Sequence, residues 1–178
     1  MKRFNCDNGC CNICITFYKK KREIFKNKKE RPKKSGIFIT NNDMTKILLV
    51  QSREQFWGPP KGSLNNEETI EEGAIREVKE ETGLLFSKGN LGDIKMIKGK
   101  SFYFHKCVEE GQVYVQTHIE NNDANGIGWF NIDCLEEMIN NGTIKVNQHC
   151  RLLVKKIFNI NLPNNYKERV LKTKFIVV

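Results

Sequence analysis

The chain has 178 residues, 39% hydrophobic and 29% charged, enough for one domain of ordinary size with a modest surplus. No apolar run approaches the roughly 18 to 20 residues that span a bilayer, so no membrane helix or membrane partner is expected; the basic start Met1-Lys2-Arg3 lacks an apolar stretch behind it, which predicts an intracellular, cytoplasmic protein without a secretory signal. The net charge of +9 is localised: up to Lys34 twelve Lys and Arg face three acidic residues, whereas from Ser35 onward eighteen basic residues meet eighteen acidic ones.

The first element in chain order is therefore an N-terminal arm, Cys-rich and basic, over residues 1–34, with the folded domain expected over 35–178. Four of the seven cysteines fall in Cys6-x3-Cys10-Cys11-x2-Cys14. Thiolates at this density can hold zinc; they can equally stay unligated or oxidise, or form a site completed by His105 or Cys107. Zinc sites built from two knuckles keep them about a dozen or more residues apart, whereas Cys6 and Cys14 are only eight positions apart. From Lys19 to Lys34, ten of sixteen residues are basic, broken by Pro32 and without an apolar face. Such a segment is either a solubilising tail or a handle for a polyanion such as RNA, because clustered Lys and Arg displace phosphate counterions.

Folded structure is expected to begin with a strand at Gly36–Thr40, a turn at Asn41-Asn42-Asp43 and a second strand at Lys46–Gln51, a hairpin. Further strands are expected around Phe102–Val108, Val113–Ile119 and Ile127–Phe130. Helical spacing occurs over Thr69–Thr82, after Asp133 and over Val146–Asn159. Strands around few helices give an α+β class. Cys107, Cys134 and Cys150 are expected as single buried thiols without disulfides, and His118 and His149 as packing or surface residues.

Between Gly62 and Leu84 the chain reads GSLNNEETIEEGAIREVKEETGL, a loop feeding a helix with two different faces. Thr69 with Glu72 has the form of a capping box, in which each side chain satisfies a free amide of the first turn. Ile70, Ala74, Ile75 and Val78 form an apolar stripe, and Gly83 suits the left-handed conformation that ends a helix. Glu77, Glu80 and Glu81 stand at i, i+3 and i+4, so like charges crowd one patch, an arrangement that a cation would relieve. Hard oxygen ligands favour magnesium or manganese; a solvated acidic face is the alternative for three glutamates considered alone.

The stretch matches at every fixed position the pattern G-x5-E-x7-R-E-U-x-E-E-x-G-U, U being aliphatic, through Gly62, Glu68, Arg76, Glu77, Val78, Glu80, Glu81, Gly83 and Leu84. Average residue usage makes such a match an accident about once in ten million chains of this length. On these residues the chain resembles the Nudix hydrolases, and the likeness extends over roughly residues 35–160. It implies the Nudix α/β/α sandwich, a mixed sheet between helices. It further implies a pyrophosphohydrolase that uses Mg2+ or Mn2+ held by Glu77, Glu80, Glu81 and the Gly62 carbonyl, with Arg76 and Glu68 as the internal ion pair that orients the carboxylates. The general base varies across the family: Glu77, Glu80 or Glu81, or else Glu120, Glu136 or Glu137, is open to that role.

The approach Phe56-Trp57-Gly58-Pro59-Pro60-Lys61-Gly62 resembles the W-x-x-P-K-G of decapping Nudix enzymes and of those that cleave diadenosine polyphosphates. Lys61 and Trp57 join Gly62 as the expected substrate-binding residues, Lys61 as a point charge on polyphosphate and Trp57 either as a wall of the core or as a stacking platform. With the basic arm, the resemblance points first to capped mRNA, with RNA as partner and 7-methylguanosine diphosphate as product. Dinucleoside polyphosphates and diphosphoinositol polyphosphates are the alternatives, and a catalytically silent RNA-binding Nudix module is the reading from a different class. A short Cys-rich basic leader before a Nudix domain also resembles Nudix proteins of large DNA viruses.

Overall fold

The structure, a computed structural model of the chain, describes residues 1–16, 32–52, 56–98, 101–119 and 122–165. Nine strands and three helices form among them: β1 (Lys2–Asn5), β2 (Asn12–Ile15), β3 (Lys34–Asn41), β4 (Lys46–Ser52), β5 (Phe56–Gly58), β6 (Lys61–Ser63), α1 (Ile70–Thr82), β7 (Lys95–Lys98), β8 (Ser101–Val108), β9 (Ala124–Asn131), α2 (Ile132–Asn140) and α3 (Gln148–Phe158). The strands make one sheet in the order β1-β2-β9-β4-β3-β8-β7, with β5 added to β4 and β6 to β3. Strands β3 and β8 run parallel and the other described pairs antiparallel, so the sheet is mixed.

The central strands are apolar on both faces because both are covered, and their period of two sorts side chains into two cores. Ile37, Ile39, Leu48, Val50, Phe104, Ile127 and Trp129 meet Ala74 and Val78 of α1 on one face. On the other, Phe38, Ile47, Leu49, Tyr103 and Phe130 meet Leu135, Met138 and Ile139 of α2 and Leu153 and Val154 of α3. The expected α+β sandwich, a mixed sheet between helices, is therefore the fold. No described helix is long and apolar enough to cross a membrane.

Two expectations are corrected. Folded structure, expected from Gly36, begins at Lys2: β1 and β2 form a hairpin whose second strand pairs with β9, in the register Asn12 opposite Trp129. The cause is an alternation that the basic charge masks. Cys11, Ile13 and Ile15 turn into the α2 and α3 side of the core, and Cys14 into the α1 side. The strand expected over Val113–Ile119 does not join the sheet. Val113 and Val115 alternate inward as a strand would, but they cap the α1-side core from an irregular segment, held where Trp129 Nε1 donates to the Gly111 carbonyl at 3.1 Å. The basic segment from Lys19 to Arg31 lies outside the described residues.

Candidate active site

The site grows from the junction of β6 with α1. Pairing with β3 holds β6 in place, opposing Gly62 to Ser35 and Lys61 to Gly36. Helix α1 then starts on the expected capping box: Thr69 is extended (φ −70, ψ 161), its hydroxyl accepts from the Glu72 amide at 3.3 Å, and the Glu72 carboxylate accepts from the Thr69 amide at 2.9 Å. Gly83 ends the helix at φ 78. Of the apolar stripe, Ala74 and Val78 are fully buried, Ile70 packs at the margin and Ile75 is half-buried.

Arg76 organises the acidic face. Its Nε and one terminal nitrogen grip both oxygens of Glu68, at 2.8 and 2.9 Å, and the same terminal nitrogen reaches the Ser63 carbonyl at 2.9 Å. The other terminal nitrogen donates to Glu77 at 2.9 Å and to Glu80 at 3.2 Å. A planar five-donor guanidinium can do this and an ammonium cannot. The contacts hold Arg76 above its ordinary pKa and, through its hydrogen bonds, lower that of Glu68. The expected ion pair of Arg76 and Glu68 is thus present, and it extends to two of the three patch carboxylates.

Glu81 is held differently. It is 5% exposed and accepts the Lys61 backbone amide at 2.8 Å. Burial pushes its carboxyl up to about 8; the Lys61 ammonium and amide pull it down, and the charges of Glu77 and Asp123 add to the rise. Burial likewise raises Glu77, against the pull of Arg76. Gly62 makes the close approach possible: a Cβ there would fall 1.9 Å from a Glu77 carboxylate oxygen. The result is a patch of oxygen donors graded from buried Glu81 to Glu80, whose side chain is 38% exposed. Buried carboxylates short of compensating charge suit a hard divalent cation.

The other expected residues divide. Lys61 lies beside the patch, its charge reaching Glu81. Trp57 does not offer a stacking face: it is 2% exposed and packs edge-on against Phe130, with ring centroids 4.9 Å apart, so it is a wall of the core. Glu136 and Glu137 are exposed on α2, whose buried side joins the core on the opposite face of the sheet from α1. Glu120 lies outside the described residues. The residue that pattern reading missed is Asp123, half-buried at the start of β9, whose charge acts on Glu81. The neighbouring Asn122 amide donates to the Glu80 carbonyl at 2.9 Å, which draws this turn to the end of α1. Nothing in the local sequence announces it.

Among the cysteines, Cys6, Cys10 and Cys11 converge as expected, but Cys14 points to the opposite face of the sheet and the fourth member is Cys134 of α2. Cys134 is thus not a single thiol. His105 and Cys107 do not complete the group; both bond Thr40 Oγ1, at 3.1 and 3.3 Å, and Cys107 is exposed rather than buried as expected. His149 supports the core, its Nδ1 lying 2.8 Å from the buried Tyr103 hydroxyl.

A family model of the NUDIX domain matches residues 30–150. Protein 111R of Invertebrate iridescent virus 3, which carries the name of a hydrolase, is 29% identical over 133 residues, covering 72% of this chain and 77% of the relative. The m7GpppN-mRNA hydrolase of Saccharomyces cerevisiae is 29% identical over 128 residues, 70% of this chain but only 13% of the yeast protein. Among solved structures, a MutT NUDIX hydrolase from Burkholderia pseudomallei superposes with a TM-score of 0.53 at 21% identity, covering 72% of this chain and 99% of that one. The NUDIX domain of Shewanella oneidensis NrtR, solved with ADP ribose, gives 0.55 at 14% identity, covering 74% and 88%. At these identities the structures speak for the fold alone.

Proposed function

The chain belongs to the NUDIX family and is a pyrophosphohydrolase, and on that premise we propose that it removes the 5′ cap of mRNA, leaving a 5′-monophosphorylated RNA and releasing 7-methylguanosine diphosphate. The observation that carries this reading is Lys61. It sits one residue before Gly62 on β6, its amide is tied to Glu81, and its ammonium charge is felt at that carboxylate. A cation there suits an extended polyphosphate bridge. The similarity to the yeast decapping enzyme supports the same substrate class, and the relative in an iridescent virus supports a viral form of it.

Glu77, Glu80, Glu81 and the Gly62 carbonyl would hold Mg2+ or Mn2+, which when bound supplies positive charge against the pyrophosphate and acidifies a water. The oxygen chemistry of these donors and the cradle left by the missing Gly62 side chain fit such an ion. The protein's own part is positional. Arg76 sets Glu77 and Glu80 through shared hydrogen bonds, the Lys61 amide sets Glu81, and Glu68 anchors Arg76 from behind. Lys61 binds phosphate, and the Lys- and Arg-rich segment from Lys19 to Lys34 engages the RNA chain. A silent binding module is disfavoured because every carboxylate of the pattern is present.

The test is competition at equal concentration among capped RNA, diadenosine polyphosphate and an inositol pyrophosphate, with magnesium or manganese. Capped RNA is expected to be consumed first, and free cap dinucleotide more slowly, because remote phosphates no longer help hold the reacting group. Lys61→Ala should lower kcat/KM on capped RNA by roughly tenfold, the contribution of one charge-assisted hydrogen bond, with Lys61→Arg partly tolerated. Faster consumption of either small substrate overturns decapping in favour of that substrate.

A further inference from the structure

A second group of metal-ligating side chains lies away from the carboxylates. The Sγ atoms of Cys6, Cys10, Cys11 and Cys134 are all within 4.8 Å of one another. Cys10 is 3.3 Å from Cys6 and 3.0 Å from Cys134, and Cys6 is 3.8 Å from Cys134. A disulfide would bring two of these sulfurs to about 2.05 Å and exclude the others from the bond. Four sulfurs arranged tetrahedrally around zinc, each at about 2.3 Å, stand about 3.8 Å from one another. The observed separations surround that spacing.

We propose that Cys6, Cys10, Cys11 and Cys134 form a structural zinc site that fastens the β1–β2 hairpin to the start of α2. Three features beyond the sulfur positions support it. The loop between the strands turns at Gly9, in the left-handed region at φ 67, with its amide donating to the Cys6 carbonyl at 2.8 Å, so that Cys6 and Cys10 are presented from one tight turn. The Cys11 amide points at Cys6 Sγ at 3.4 Å and the Asn131 amide at Cys11 Sγ at 3.3 Å, donors that would disperse the negative charge of thiolates. Cys134 lies in the first turn of α2, where the helix end favours an anionic sulfur.

Pairing of β2 with β9 assembles the group. Asn12 lies opposite Trp129, so the residues just before Asn12 come level with the passage from β9 into α2. Four protein sulfurs fill a tetrahedron and leave no position for water or substrate, which makes the site structural rather than catalytic. Soft thiolates select zinc as hard carboxylates select magnesium, so two metals can sort between the two sites by ligand chemistry. Binding converts four thiols to thiolates and releases their protons to solvent, with no change of oxidation state. It also supplies stability where apolar burial is thin, since β1 is almost wholly exposed.

The experiment measures metal in the full chain, produced with zinc and purified without chelator. One zinc per chain is expected, and cobalt exchanged into the protein should give thiolate-to-cobalt charge transfer with the visible bands of tetrahedral cobalt. Cys134→Ser and Cys10→Ser should lose the metal, whereas Cys14→Ser and Cys107→Ser keep it. Cys134→His, which retains a zinc ligand, should keep zinc with an altered cobalt spectrum, and this covers the case in which the serine variants fail to fold. Wild-type chain without stoichiometric zinc or tetrahedral cobalt bands overturns the site. So does zinc that survives in folded Cys134→Ser but is lost in Cys14→Ser, or a cysteine group recovered as a disulfide or loaded with iron under the same conditions.

Discussion

Glu77, Glu80 and Glu81 are one residue type on one helix face, yet each has a different environment. Glu80 is open and shares Arg76, Glu77 is half-buried against Gly62, and Glu81 is enclosed with a Lys61 amide as its fixed donor. Replacing Glu80 or Glu81 by Gln keeps size and hydrogen bonding and removes charge. Turnover should fall by roughly a hundredfold or more, as loss of preorganised charge commonly does. The two variants should differ in stability: Glu81→Gln relieves a desolvated carboxylate and should melt no lower than wild type, which thermal unfolding would check. Near-normal turnover in both variants would remove the metal role from this face. The order of the glutamates was legible from i, i+3 and i+4 spacing, but their grading was not, because burial depends on strands far away in sequence.

At the level of the element, α1 is determined locally from end to end. The capping box, the buried stripe and the left-handed Gly83 are all encoded within its own residues. Thr69→Ala should therefore destabilise the protein by about 1 kcal/mol, the usual contribution of an N-cap, with little change in the chemistry of the three glutamates; denaturant unfolding measures it. Glu72 adds a pH signature. Its hydrogen bond with Lys88, then those with the Thr69 amide and hydroxyl, hold its carboxyl at about 2 instead of 4.5. A depressed folded pKa stabilises above the unfolded value and loses that contribution as pH falls through the folded one. The stability gap between wild type and Glu72→Gln should accordingly narrow from about pH 4.5 to about pH 2. Both groups are at the surface, so salt should shrink the gap as well. The segment at Val113–Ile119 is the counterexample: its alternation is strand-like, but Val113 and Val115 cover the α1-side core without joining the sheet, a choice made by tertiary contacts that local sequence does not report.

For the whole molecule, the N-terminal residues divide into a part that joins the sheet and a basic part for which RNA binding is proposed. The first sixteen belong to the fold: Ile13 and Ile15 are buried, and at about 1.5–3 kcal/mol for each fully buried aliphatic side chain their removal would take a large share of a typical 5–15 kcal/mol stability. Deleting Met1 to Lys34 should thus lower the melting temperature sharply and expose β9 as a sheet edge. Neutralising the eight Lys and Arg between Lys19 and Arg31 should instead leave melting and cleavage of small pyrophosphates unchanged. That variant should bind RNA more weakly, with the salt slope reduced by about 0.7 for each phosphate that the segment no longer neutralises. An unchanged slope would exclude this segment as the RNA handle.

By itself the sequence determined the helix with its caps, the spacing of the carboxylates and the succession of the central strands along the chain. Each rests on a short-range period, 3.6 or 2, or on a pattern whose members are neighbours along the chain. The pairing of Arg76 with Glu68 came from the family resemblance and is present in the structure. Only the tertiary structure decided that the charge of Asp123 acts on Glu81, that Trp57 is enclosed, and that Cys134 rather than Cys14 joins Cys6, Cys10 and Cys11. In the cysteine group the physical reason is strand register. Cys14, three residues from Cys11, lies on the other face of β2, while Cys134, more than a hundred residues away, is brought level by the pairing of β2 with β9.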